Sequence, residues 1–372
     1  MSIHFWTYDC IRQVEHNRNN LMKKRNKIAL SILIALAAIR IALPYGIKYE
    51  LNKTLASLPE YQGHVDDVDL VLYKGAIAFN NFILDKAQTN DTIPFTGIQR
   101  TEFGIDFNAL INGAFVGNIK LTNPNINFIA AKDTTQQQYG GDYSWFKPIA
   151  ELRPMEINKL TVEGGNVHFQ KFDSSPDVDL MISNITLEAN NLRNVVDKSQ
   201  KLPSSFQLSA NVLNGGRLST SAEMNILKDI PDLSLNFKLE DVAIENLNDF
   251  LLTYGKFDAS SGELNFYSEL AVDSHQIDGY FKPLISDFKV SNWQENKRKP
   301  GKLVFESTID LFIVLLRNQK ENQFASKIPI SGNVENSKVS YLATLKNVLV
   351  NAFVKAYDKD IDNTVTYPLK ST

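Results

Sequence analysis

A single cysteine, Cys10, occurs in the 372 residues, so the chain beyond it is free of thiols and disulfides. Such a chain is compatible with an oxidising compartment, but its stability has to come from burial and strand pairing. Histidine is scarce too: His4, His16, His64, His168 and His275 are scattered through the chain. His168 alternates with Val167 and Phe169, which places it on the polar face of a strand as a surface imidazole. No Walker A loop, G-x-G-x-x-G, G-x-S-x-G or H-E-x-x-H motif is present. Acidic residues are plentiful, yet nothing marks out a pair of carboxylates for glycosidic chemistry. Asp66, Asp67 and Asp69 read as the solvated start of a strand. Asp358, Asp360 and Asp362 copy the first half of a calcium loop, but Asn363 and Leu369 stand where it needs Gly and Glu, leaving a polar tail. No catalytic residue, metal site or cofactor is expected.

Basic charge is short outside the N-terminus. The formal net charge is −3, but residues 1–27 hold six Lys/Arg against Asp9 and Glu15, which leaves 33 basic and 40 acidic residues for the rest. An anionic body argues against nucleic acid as a partner, because phosphate backbones are bound by positive surfaces. The one basic run beyond the N-terminus, Lys297, Arg298 and Lys299, reads as a solvated turn.

Long apolar runs are limited to one, "IALSILIALAAIRIALPYGI", residues 28–47. At ~1.5 Å per residue its length matches the ~30 Å of a bilayer core. Lys23, Lys24, Arg25 and Lys27 precede it, so the positive-inside rule keeps the N-terminus cytoplasmic and exports the residues after the run. Arg40 lies in the distal third, where its stem can snorkel to the outer interface. The competing reading, a cleaved signal peptide with its apolar region at residues 28–39, lacks a convincing small-x-small site after the run. The expected organisation is a cytoplasmic basic segment, 1–27, a transmembrane helix, 28–47, and an exported β-rich part, 48–372.

After a helical continuation stopped by Pro59, period-two alternation dominates. In "GELNFYSELAVDSHQIDGYF", residues 262–281, Leu264, Phe266, Ser268, Leu270 and Val272 form a dry face, and Glu263, Asn265, Tyr267, Glu269 and Asp273 a wet one. The same alternation runs through Val68/Leu70/Leu72, Ile77/Phe79, Phe103/Ile105/Phe107, Ile126/Phe128, Val167/Phe169 and Val178/Leu180/Ile182. It continues in Phe206/Leu208/Ala210/Val212, Leu218/Thr220/Ala222/Met224/Ile226 and Leu233/Leu235/Phe237/Leu239. Gly164-Gly165, Asn214-Gly215-Gly216 and Ser261-Gly262 read as turns between strands. Amphipathic helices are expected only at residues 143–152, 245–254, 302–316 and 341–357. So few helices cannot cover a dozen apolar strand faces. The sheet has to cover itself as a sandwich or barrel, or leave an apolar trough.

Three stretches carry a family resemblance. "NLNDFLLTYGKFDASSGELNFYSELAVDSHQIDGYFKPLISDFKV", residues 246–290, has a short helix, a Gly-started strand, an acidic turn and a Gly-Tyr-x-Lys-Pro-Leu segment at Gly279, Tyr280, Lys282, Pro283 and Leu284. "FASKIPISGNVENSKV", residues 324–339, with "VLVNAFVKAY", residues 348–357, forms the second block, and "EYQGHVDDVDLVLYKGAIAFNNFIL" with "FVGNIKLTNPNINF" the third. Together they resemble the domain-of-unknown-function 748 family of the AsmA-like superfamily. The resemblance implies an inner-membrane protein of a Gram-negative cell whose periplasmic part is an elongated, curved antiparallel β-sheet shaped like a taco. It further implies a non-enzymatic role in binding or shuttling phospholipid acyl chains and in outer-membrane homeostasis, with other envelope proteins as partners. An envelope scaffold without lipid cargo is the alternative. The family has no accepted catalytic residues to carry over. The expected lipid-facing positions are Phe103, Ile105, Phe107, Leu233, Leu235, Phe237, Leu239, Leu264, Phe266, Leu270 and Val272.

The topology is directly testable. A reporter active only outside the cytoplasm should be active when fused after Thr372 and inactive when fused before Ile28; the opposite pattern would overturn the orientation.

Overall fold

The structure, a computed structural model, describes residues 3–58, 61–71, 74–87, 93–105, 116–133, 136–138, 156–192, 201–225, 231–293, 323–325, 327–333 and 359–369. The expected helices at 143–152, 302–316 and 341–357, the basic run at 297–299, and Leu72, Phe107, Ile226 and Asp358 lie outside these residues. Chain order is a helix α1 (Ile3–Ala56), then β1 (Tyr61–Val71), β2 (Ala76–Lys86), β3 (Thr96–Ile105), β4 (Val116–Ile129), β5 (Glu156–Lys171) and β6 (Val178–Asn190). There follow β7 (Ser204–Val212), β8 (Gly216–Asn225), β9 (Asp232–Ala243), β10 (Phe257–Asp273), β11 (Gln276–Trp293), β12 (Gln323–Ala325) and β13 (Ile328–Asn333).

All thirteen strands form one sheet in chain order, with β12 and β13 both paired to β11. The meander expected from the sequence is therefore present, with one correction. β4 and β5 pair in parallel, so the sheet is mixed rather than antiparallel throughout. A parallel pair needs a return crossing, and the long connection after Ile129 supplies it. Among the described elements, the substantial packing of β7 and β8 is with their hydrogen-bonded neighbours, and no second sheet lies over them.

The sheet bends along a crease that period-two reading does not anticipate. Asp66, Asn81, Gln99, Asn123 and Gly164 stand opposite one another in β1 to β5. Asn81 (φ 50°), Asn123 (φ 49°) and Gly164 (φ 70°) are left-handed, as is Asn184 (φ 53°) in β6. Asn and Gly are the residues that tolerate this conformation. Flanking apolar positions are three apart instead of two: Val65 and Val68, Phe79 and Phe82, Leu121 and Pro124, Val162 and Gly165. The parity of the alternation inverts at the crease, and the apolar side chains stay on one face. Gly164-Gly165 and Ser261-Gly262, expected as turns, thus lie inside β5 and β10. Only the Asn214–Gly215 stretch connects two strands, as expected.

Two devices finish the sheet at its ends. On the free edge of β1, Asn52 from α1 accepts the Val65 N–H at 2.8 Å and donates to the Val65 carbonyl at 3.1 Å, as a neighbouring strand would. Close by, Tyr61, Leu84 and Phe95 are buried with Leu58, Phe82, Ile126 and Phe128 around them. At the other end the chain between β9 and β10 forms a plug, residues 244–255, built from a 3₁₀ turn (Ile244–Leu247), a helical turn (Asn248–Phe250) and a π turn (Leu251–Gly255). Its buried Ile244, Phe250 and Leu251 pack with Val242, Phe257, Leu264, Ile285 and Phe288. Phe169, Val178 and Leu180 of β5 and β6 join the same cluster. The plug therefore bridges from β5 and β6 to β10 and β11 across one side of the apolar face.

Along α1, Ile28, Leu30, Ile32, Ile34, Ile41 and Leu43 are 46–66% exposed. Taken over the described residues alone, no helix is long and apolar enough to cross a membrane; the side chains of Leu33, Ala35, Leu36 and Ile39 in this run lie outside them.

The crease makes a specific demand on Gly164, where an added Cβ would run into the Asn123 side chain. Gly164→Ala should cost about 1–2 kcal/mol, read as a drop of a few degrees in Tm, whereas Asn184→Gly, at a position of the same conformation, should change Tm little.

Candidate functional site

Register places the dry residues of neighbouring strands side by side. Leu233, Leu235 and Phe237 of β9 stand opposite Val272, Leu270 and Ser268 of β10, and Leu239 stands opposite Phe266. Across β8 the row continues through Met224, Ala222 and Thr220, and across β7 through Phe206 and Leu208. Leu233, Leu235, Phe237, Leu239, Phe266 and Leu270 are all only half-buried. For Leu235, Phe237, Phe266 and Leu270, large apolar side chains within long strands and outside the plug cluster, this marks an uncovered wall.

Two polar residues interrupt that wall without wetting it. Thr220 donates its hydroxyl to the Asn236 carbonyl at 2.8 Å, and Ser268 donates to the Tyr280 carbonyl at 2.9 Å. Each side-chain donor is satisfied by backbone, so the face stays apolar. Ser268 is buried between Phe237 and Phe281, which stand opposite it in β9 and β11. The Phe266 ring centre lies 5.8 Å from that of Phe237 and 5.6 Å from that of Phe281, so three rings form a ledge.

The expected lipid-facing residues divide into groups. Leu233, Leu235, Phe237, Phe266 and Leu270 line the half-buried part, whereas Val272, opposite Leu233, is buried. Leu264 belongs to the core under the plug, where Leu239 also packs. Phe103 sits in β3, opposite Ile119 of β4 and with its ring centre 5.5 Å from that of Phe79, far along the sheet from β9 and β10. Ile105 ends the same strand, and Phe107 lies beyond the described residues. Sequence reading omitted Phe206, Leu208, Met224 and Phe281 from the site, although their alternation was plain. Only the register shows that they share its face.

The opposite face reverses the expectation of a wet side. Asn265, Tyr267 and Glu269 of β10 and Lys282 of β11 are only 1–2% exposed, because the C-terminal segment, residues 359–369, lies over them. Its Thr364 N–H donates to Glu269 at 3.0 Å, its Asp362 N–H to the Tyr280 hydroxyl at 2.7 Å, and its Leu369 N–H to Asp273 at 3.3 Å. Asp362 accepts from Lys282 and Lys327, Asp360 from Lys238, and Lys359 donates to Glu263. Each charge taken out of water thereby meets a partner. The Asp-x-Asp of this tail is a lysine-binding strap, and both described carboxylates are occupied.

These contacts set the titration of the strap. Burial pushes the Asp362 carboxyl up, but Lys282 and Lys327 more than offset it, so it stays below its usual range. Lys238 lowers Asp360, and Lys359 lowers Glu263. Burial, aided by Asp232, pushes the Tyr367 hydroxyl up to about 12.

Elsewhere on this face the sequence candidates form ordinary polar pairs. His168 lies 3.1 Å from Asp179. Asp69 is held low by Asn80 and then by Arg100, while Asp66 accepts from Asn81. Beside the strap, a shallow depression of about 580 Å³ is lined by Glu188, Gln207, Ser209, Ser219, Ser221 and Lys238, among others. It holds no convergent set of catalytic groups. Neither a protein-family model nor a curated protein matches the chain.

The lowered carboxylates have a pH consequence. Groups whose folded pKa is depressed stabilise above their unfolded value, near 4, and lose that contribution as pH falls through the folded pKa. Hydrogen-exchange protection of the Asp362, Thr364 and Leu369 amides should hold from pH 7 to 5 and fall below about pH 4, with the β2 and β3 amides outlasting it.

Proposed function

We propose that this protein is a non-enzymatic lipid-handling protein, anchored in the inner membrane of a Gram-negative cell by residues 28–47, with residues 48–372 in the periplasm. Its cargo is the acyl chain of a phospholipid or related lipid, and its role is maintenance of the outer membrane. One observation carries the reading: a row of large apolar side chains in β7 to β10 is left half-buried, while on β10 and β11 it is the polar face that the strap covers. A sheet that covers its charges on β10 and β11 and leaves Phe, Leu and Met half-buried on the other face offers that surface to an apolar occupant. Each methylene moved there from water contributes ~0.8 kcal/mol.

The apolar side chains exposed along α1 point the same way, since a hydrophobic helix surface without protein cover suits hydrocarbon surroundings. Asn52 and Lys48 tie the C-terminal end of that helix to β1. The sheet would then begin at the membrane surface, beside a source of lipid. The motifs of residues 246–290 and 324–357 support the same assignment.

The test is to purify the full chain in an amphipathic polymer free of lipid, extract it, and identify acyl species by mass spectrometry. Wild-type protein should carry phospholipid. Phe266→Asp should lose most of it while melting within a few degrees of wild type, because on an open wall the carboxylate reaches water once the lipid leaves. A lipid-free wild type would favour the scaffold reading, and loss of cooperative melting in Phe266→Asp would mean a sealed core.

A further inference from the structure

The dry face is not uniformly open, and the pattern of cover says where an occupant lies. On the plug side, Leu264 and Ile285 are buried in the core that the plug completes. The ring ledge of Phe237, Phe266 and Phe281 marks the boundary. Beyond it, one cross-strand row runs through Phe206, Ala222, Leu235 and Leu270 of β7 to β10. The next position in that row, Gly279 of β11, contributes no side chain, and Ile330 of β13 after it is 4% exposed.

We infer that a single hydrocarbon chain lies in this row, across the strands rather than along them, with its far end stopped at β13. The proposal rests on the lipid-handling reading and locates its cargo. Two dimensions fit. Four strands at ~4.8 Å spacing span about 14 Å, close to the roughly 15 Å that one leaflet contributes to a ~30 Å bilayer core. Across the row, the ring ledge and the Leu233 row flank Leu235 at two residues on either side, about 6.6 Å each way. That leaves width for one chain between them and none for a pair lying abreast. A second chain on the plug side would have to lie over Leu239, which packs against the plug cluster. The closed end at Ile330 leaves entry from the β1 side, where α1 is tied to the sheet.

Site-specific photocrosslinking in intact cells tests this with the full chain. A benzoylphenylalanine replaces Leu235, Leu270, Leu239 or, on the polar face, Ser221, and cells grown with radioactive phosphate label their phospholipids. Adducts are expected at Leu235 and Leu270, at least about tenfold above those at Leu239 and Ser221, in variants that melt like wild type before illumination. Equal labelling at Leu239 would place the chain under the plug as well and overturn the single row. Lipid in the wild-type extract with no adduct at Leu235 or Leu270 would overturn the row while leaving lipid handling intact. No lipid in the extract and no adduct anywhere would remove both.

Discussion

A sheet of thirteen strands in chain order has two faces, and each must be covered, solvated or occupied. This constraint governs the molecule, because no second sheet forms among the described residues and the plug reaches only part of one face. Burial of apolar surface is the main favourable term in folding, and here the fold leaves part of it unused. The crease, the plug, the capped edge and the strap all follow from managing a single large layer.

Curvature comes from backbone chemistry. A left-handed residue in the middle of a strand bends it, and placing such residues opposite one another in β2, β4 and β5 bends the sheet as a unit. Asn81, Asn123 and Gly164 hold that conformation without the strain a branched residue would bring. The inward curl lets Phe169 and Leu180, from the middle of the sheet, reach the plug beside β10.

On β10 and β11 beneath the strap, the polar face is covered where polarity suggests water. Water is the readiest cover for Glu269 and Lys282, yet both are buried beneath the strap. Burial of these groups is tolerable because Thr364 supplies an N–H to Glu269 and Asp362 a carboxylate to Lys282. Such a strap stiffens β10 and β11 from behind and leaves Phe266, Leu270 and Phe281 on the other face clear of it. On the proposed reading, a wall that receives and releases an apolar ligand benefits from rigidity that does not depend on the ligand.

Sequence alone determined much of this. Period-two alternation placed the strands and assigned most side chains to the correct face, because in a strand the side-chain period is a property of the backbone. Composition excluded disulfides, and the short helix before Phe257 was legible in the spacing of Leu247, Phe250, Leu251 and Tyr254. The tertiary structure decided the rest. Gly164-Gly165 reads as a turn until its neighbours in β4 and β6 are seen to bend at the same level. The β4–β5 pairing is parallel because of where the chain returns, which no local signal encodes. Leu264 and Leu270 are indistinguishable in the alternation, yet one is core and the other open wall, because the plug lies over only one of them. The wet face of β10 is dry because residues about ninety positions later carry the complementary charges. Local periodicity reports which way a side chain points, and only long-range contacts decide what it meets there.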